Sequence, residues 1–178
     1  DPATRGVRFD DMKACLNNLP AKSIVLLHAC CHNPTGADLT ADQWSQVVEA
    51  CKARQLVPFL DMAYQGFAEN IDADAVAVRA FAASGLQFII SSSFSKSFSL
   101  YGERVGALSI ITASKEESGR VLSQLKRVIR TNYSNPPTHG GAIVSAVLSS
   151  PELRQMWEDE LAGMRDRIRA MRTGLVEA

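Results

Sequence analysis

Residues 91–106 read SSSFSKSFSLYGERVG: six serines surround one lysine, Lys96, and Arg104 follows. The plain reading is a polar loop with a solvated lysine. The chemical reading is more demanding. A lysine amine that sheds its proton attacks a carbonyl carbon and forms a Schiff base. Ser93, Ser95 and the planar fork of Arg104 are donors suited to a phosphate. Three further polar residues punctuate apolar runs. Asn33 follows SIVLLHACC, and Asp61 and Tyr64 sit at the end of LVPFLDMAY. Taken singly, Asn33 shapes the turn before Pro34, Asp61 caps a loop and Tyr64 is a half-buried aromatic.

These groups gain meaning from the elements that carry them. SIVLLHACC (23–31), LVPFLDMAY (56–64) and LQFIISS read as strands, the first two buried on both faces as in a parallel sheet. VGALSIIT (105–112) reads as a fourth. LTADQWSQVVEACKARQ reads as a helix with Thr40 as N-cap and Gln43 closing a capping box. Its Trp44, Val47, Val48 and Cys51 share one face. DADAVAVRAFAAS is a second helix, stopped by Gly85. SKEESGRVLSQLKRVIR, AIVSAVLSS and PELRQMWEDELAGMRDRIRAMRTGLVEA are helical, and TNYSNPPTHGG is a loop. The last helix carries an apolar stripe, Leu153, Met156, Trp157, Leu161, Met164, Ile168, Met171 and Leu175. That stripe needs a body or another domain to pack on, and its C-terminal part is expected to lack one. Alternating strands and helices define an α/β class with a mainly parallel sheet sandwiched by helices.

In open α/β sheets, ligands sit beyond the carboxyl ends of the strands. Asn33, Asp61 and Lys96 all fall there. A pyridine ring used as an electron sink needs a carboxylate beside its nitrogen. An opposing charge at contact range shifts a pKa by about 1–3 units. Its ring hydroxylate takes amide and phenol donors, and its phosphate takes hydroxyls and a guanidinium. The six residues Asp61, Asn33, Tyr64, Lys96, Ser93 and Arg104 supply that set.

Composition narrows the alternatives. The 178 residues are 46% hydrophobic, with 19 basic and 19 acidic side chains. A zero formal charge gives no signal for nucleic acid or an anionic membrane. No apolar run reaches the length of a membrane span, and DPATRGVRFDD does not read as a signal peptide. Cys15, Cys30, Cys31 and Cys51 form no C-x-x-C pair and read as reduced packing thiols of a cytoplasmic protein. His28, His32 and His139 lack ligand spacing, so no metal is expected.

CCHNPTG, FLDMAYQGF, SSSFSKSFSLYGERVG and IRTNYSNPPTHGG together resemble the aspartate and aromatic amino-acid aminotransferases, enzymes of fold-type I that use pyridoxal 5'-phosphate. The resemblance covers essentially the whole chain. It implies that Lys96 is the Schiff-base lysine and proton shuttle, that Asp61 pairs with the ring nitrogen, and that Asn33 and Tyr64 bond the ring oxygen. It implies that Ser93, Ser95 and Arg104 bind the phosphate. Asn33 and Arg130 would meet substrate, with Arg130, near Ser134 and Asn135, reaching a distal carboxylate across a homodimer interface. Lys96, Asp61 and Tyr64 are thus the catalytic set. The amino acid and 2-oxo acid substrates would be aromatic or dicarboxylic, with 2-oxoglutarate. ADLTADQW and FSLYGERVG look closer to the bacterial aromatic members than to strictly aspartate-specific ones.

The same resemblance implies that complete members are much longer. Residues 1–150 would be part of the cofactor-binding large domain, and 151–178 a helix leading toward a small domain. Two segments of the family would be missing. One is an N-terminal part with a phosphate loop, a ring-stacking aromatic and a tyrosine for the other subunit. The other is a C-terminal domain with an arginine for the substrate α-carboxylate. The chain alone is expected to be inactive. A decarboxylase or eliminase of related fold, and a folded but catalytically silent module, are the rival readings; the distal-carboxylate arginine disfavours the first.

Overall fold

The computed structural model describes residues 1–177. In chain order the elements are α1 (Phe9–Asn18), β1 (Ile24–His28), α2 (Ala41–Ala53), β2 (Val57–Met62), α3 (Val76–Ala83), β3 (Phe88–Ser93), β4 (Gly106–Ile111), α4 (Lys115–Asn132), α5 (His139–Ser149) and α6 (Pro151–Glu177). A short 3-10 turn, Ala73–Ala75, leads into α3. The sheet order is β1-β2-β3-β4, with β1, β2 and β3 parallel and β4 antiparallel to β3.

Local chemistry sets the boundaries. Thr40 and Gln43 form the reciprocal capping box at the start of α2, with the Gln43 N–H donating to Thr40 Oγ1 at 3.2 Å and the Thr40 N–H to Gln43 Oε1 at 2.9 Å. Ser114 caps α4 through the Glu117 N–H. Gly85, at φ +75°, takes the left-handed position after α3 that a side chain disfavours. Helix α1 was missed in the sequence, although Phe9, Met12 and Leu16 keep a three-four spacing and pack on the core. Leu16 is its one buried residue.

The core lies between the sheet and helices α1, α2 and α3. Trp44, Val47, Val48 and Cys51 of α2 meet Ala77 and Phe81 of α3 and Leu60, Met62 and Phe88 of the sheet. Phe81 packs on Phe88 at 5.6 Å and on Trp44 at 6.4 Å between ring centroids, distances typical of tilted aromatic pairs.

Side chains alternate across a strand, and partners in register share a face. With Leu60 and Met62 in the core, Phe59 and Asp61 point the other way, as do their partners Leu26 and His28 on β1 and Ile89 and Ser91 on β3. On that face β1 is not buried: Ile24 is 68% and Leu26 62% exposed. The expectation of burial on both faces is therefore corrected for this strand. It is an edge strand here, and among the described residues no helix covers its second face.

The stripe on α6 is open at its C-terminal part, as expected, and also at its start, where Leu153 is 42% and Met156 60% exposed. Leu161 is 1% exposed, and Trp157 and Met164 are half-buried, while Ile168, Met171 and Leu175 are open to solvent. Among the described residues no helix is long and apolar enough to cross a membrane.

Candidate active site

Three loops at the carboxyl ends of β1, β2 and β3 build the site. The first, after β1, turns sharply. Cys31 has φ +50°, and the Asp38 carboxylate accepts the backbone N–H groups of Cys31 at 2.7 Å and His32 at 2.8 Å. That double acceptance satisfies two donors at the bend and fixes where Asn33 emerges. The Asn33 side-chain amide donates to Tyr64 Oη at 3.3 Å. Its backbone N–H donates to His28 Nδ1 at 3.2 Å.

That last bond reveals a residue the sequence reading missed. A neutral His28 accepting at Nδ1 carries its proton on Nε2. Nε2 lies 3.9 Å from Asp61 Oδ2, and the Ser91 hydroxyl donates to Asp61 Oδ1 at 3.3 Å. Asp61 is thus flanked on both neighbouring strands, because His28 and Ser91 are its partners in register. The only sequence signal for His28 was a polar residue closing an apolar strand. Its meaning needed the register.

The second loop follows β2 and carries Tyr64. Asp74, 4% exposed, anchors it by accepting the N–H groups of Gly66 at 2.8 Å, Ala68 at 3.0 Å and Glu69 at 2.9 Å. The third loop carries Lys96. Its Nζ stands over the Tyr64 ring, 4.9 Å from the centroid, within cation–π range. Among the described residues no carboxylate pairs with Lys96.

The phosphate-suited donors lie at the base of the same loop. The buried Ser95 donates its backbone N–H to Ser93 Oγ at 3.2 Å. Arg104, at φ +50°, spends one guanidinium nitrogen on the Tyr101 carbonyl at 3.0 Å. The rest of its fork stays available to an anion. Gly106 permits this approach. A Cβ there would sit 2.7 Å from the Ser92 carbonyl oxygen, so only glycine lets β4 start beside Ser93.

A cleft of about 640 Å³ is lined by Asn33, Tyr64, Phe67, Lys96, Tyr101 and Arg172, among others. Of the expected site residues, Asn33, Tyr64 and Lys96 line it, and Asp61, Ser93, Ser95, Arg104 and Arg130 do not. Arg130 is exposed in the last turn of α4 and donates to the Ser134 hydroxyl. A larger space of about 840 Å³ beside residues 1–8 meets the site only through His28, His32 and neighbouring loop residues.

Cys30, Cys31 and Asp74 bring ligand atoms within 4.8 Å of one another. The Asp74 carboxylate is already taken by three N–H groups. A hydrogen bond with Cys31, then burial, holds the Cys30 thiol far above its ordinary range. Cys30 therefore stays a thiol rather than the thiolate a metal needs.

A mainly parallel sheet whose carboxyl end gathers a lysine, a phenol, an amide and a flanked carboxylate defines an α/β protein with a lysine-centred site. The family model for aminotransferase class I and II matches residues 1–178, and the chain belongs to that family. It is 67% identical over 177 residues to an aspartate aminotransferase of Pseudomonas aeruginosa and 58% identical to an aromatic-amino-acid aminotransferase of Escherichia coli. These matches take in 99% of the chain but 44% and 45% of the relatives. The crystal structure of an aromatic-amino-acid aminotransferase from Burkholderia pseudomallei, covalently bound to pyridoxal phosphate, superposes with a TM-score of 0.98 at 73% identity. It covers 99% of this chain and 44% of that one. The chain therefore spans less than half the length of these relatives.

Proposed function

We propose that the protein carrying this chain is a pyridoxal-phosphate-dependent aminotransferase. It moves amino groups between aromatic or dicarboxylic amino acids and 2-oxoglutarate. The observation that carries the reading is the meeting of Lys96 with Tyr64, whose phenol oxygen is held by the Asn33 amide.

The donor set fits the cofactor. Lys96 is the amine for its aldehyde, and Asp61 the carboxylate for its ring nitrogen. Asn33 and Tyr64 are the donors for its ring oxygen, and Ser93, Ser95 and Arg104 those for its phosphate. When bound, the cofactor supplies an electron sink for charge at the substrate Cα. The Ser91 hydroxyl holds Asp61 through Oδ1, and His28 stands beside Oδ2 at 3.9 Å. Lys96, once freed, is the base that carries the proton to and from Cα. Tyr64 limits where its amine swings. Arg130 would offer a distal carboxylate two parallel N–H bonds.

On this reading residues 1–150 are part of the cofactor-binding domain, α6 leads out of it, and the active form is a cytoplasmic homodimer. The relatives include both aspartate and aromatic-amino-acid enzymes, so a strict aspartate aminotransferase is the second reading. The ratio of rates on tyrosine and aspartate separates the two.

The test of the first reading is chemical. The chain is incubated with pyridoxal phosphate, reduced with borohydride and mapped by peptide mass spectrometry. The label is expected on Lys96; a label on Lys115 or Lys126 refutes the assignment. The 178-residue chain alone is expected not to turn over tyrosine and 2-oxoglutarate, because it holds only part of the donor set the family uses.

A further inference from the structure

Helix α6 lines the cleft through Ile168, Arg169 and Arg172, and its earlier turns touch the site loops from outside. The Trp157 indole N–H donates to the Ser97 carbonyl at 2.6 Å, sixty residues away in sequence. The indole also stacks on Phe98, with centroids 4.5 Å apart and 22° between planes, and Phe98 in turn meets Phe94 edge-on at 5.5 Å. Ser97 is 6% exposed, so its carbonyl has no easy alternative in water. Around it the backbone folds back on itself, with the Phe98 N–H on the Phe94 carbonyl and the Ser99 N–H on the Lys96 carbonyl. Lys96 sits inside that turn.

One helical turn further, Leu161 packs against Gly66 in the loop that follows Tyr64. Residues four apart lie on one helix face. A single turn of α6 therefore braces both loops that meet where Lys96 stands over Tyr64.

We propose that Trp157 is a positioning residue for Lys96: its indole N–H holds the Ser97 carbonyl, and with it the backbone turn that carries the lysine. The proposal rests on the reading of Lys96 given above.

The test uses a full-length protein carrying this sequence, loaded with pyridoxal phosphate. Trp157→Phe keeps a ring to stack on Phe98 and deletes the N–H. The pH midpoint of the visible absorbance of the bound cofactor reports how the lysine is held. It is expected to move by about half a pH unit or more, a threefold change in the equilibrium. Leu16→Ala, a buried change on α1, which packs against α2, is expected to lower the melting temperature and leave the midpoint alone. An unmoved midpoint in Trp157→Phe, with only its melting temperature lowered, overturns the proposal while borohydride still labels Lys96. A wild-type label on another lysine overturns the functional reading as well. Amide exchange on the unaltered protein provides a check independent of the variant. The Phe98 and Ser99 amides are expected to be as protected as those of residues 157–161, and exchange as fast as in the exposed residues 101–102 overturns the proposal.

Discussion

Gly66→Ala should destabilise this chain by an amount that depends on Leu161. A Cβ at residue 66 would lie 2.4 Å from Leu161 Cδ2 and 3.0 Å from Ile71 Cδ1, at φ +96°. The backbone has little freedom to move aside. The Gly66 N–H is bound by Asp74 at 2.8 Å, and its carbonyl accepts from Arg165 Nη1 at 3.1 Å. A side chain in that left-handed conformation costs about 1–2 kcal/mol. Overpacking against Leu161 adds about 1–3 kcal/mol, for a total of roughly 2–5 kcal/mol. Leu161→Ala alone should cost about 2–5 kcal/mol, since the side chain is 1% exposed. In the double variant the missing leucine makes room for the new methyl. The overpacking part then disappears, and the double variant should be less destabilised than the sum by about 1–3 kcal/mol. Equilibrium urea unfolding of the four proteins measures this directly. Additivity within about 0.5 kcal/mol would show that Leu161 does not press on Gly66, and that α6 is not docked as described.

Three further outcomes are expected. In a full-length protein carrying this sequence, Asp61→Asn should lower kcat at least about a hundredfold, near 2.7 kcal/mol, with much less effect on cofactor affinity, as read by steady-state kinetics and cofactor titration. Arg130→Leu there should cut kcat/KM for aspartate and glutamate steeply and for phenylalanine and tyrosine little; equal losses would make Arg130 structural. The chain should also lose stability in alkali. Burial pushes the Cys51 thiol up to about 11 from 9.0. The folded form therefore keeps a proton that the unfolded form releases, and this contribution is intact below pH 9 and lost as pH rises through 11. Denaturation midpoints measured across that window should fall, and less so in Cys51→Ala, where the slope from the still-buried Cys30 remains.

The sequence alone determined what local chemistry controls. Thr40 and Gln43 announced α2, Gly85 stopped α3, and alternating apolar runs and amphipathic stretches set the α/β class. The polar residues closing those runs, Asn33, Asp61 and Lys96, marked one end of a parallel sheet, because a parallel crossover returns every strand in the same direction. Arg130, by contrast, was placed by resemblance alone, and the structure leaves it on α4 outside the cleft. What the tertiary structure decided depends on register and on contacts across long separations. His28 became the neighbour of Asp61 only when β1 and β2 paired in one particular alignment. The exposure of Ile24 and Leu26 followed from their lying on the sheet face opposite the core, which no run of apolar residues reveals. Trp157 reads as one more member of an apolar stripe until the fold brings it under a carbonyl sixty residues away. Periodicity tells a helix which face to bury; only the assembled fold says what that face will touch.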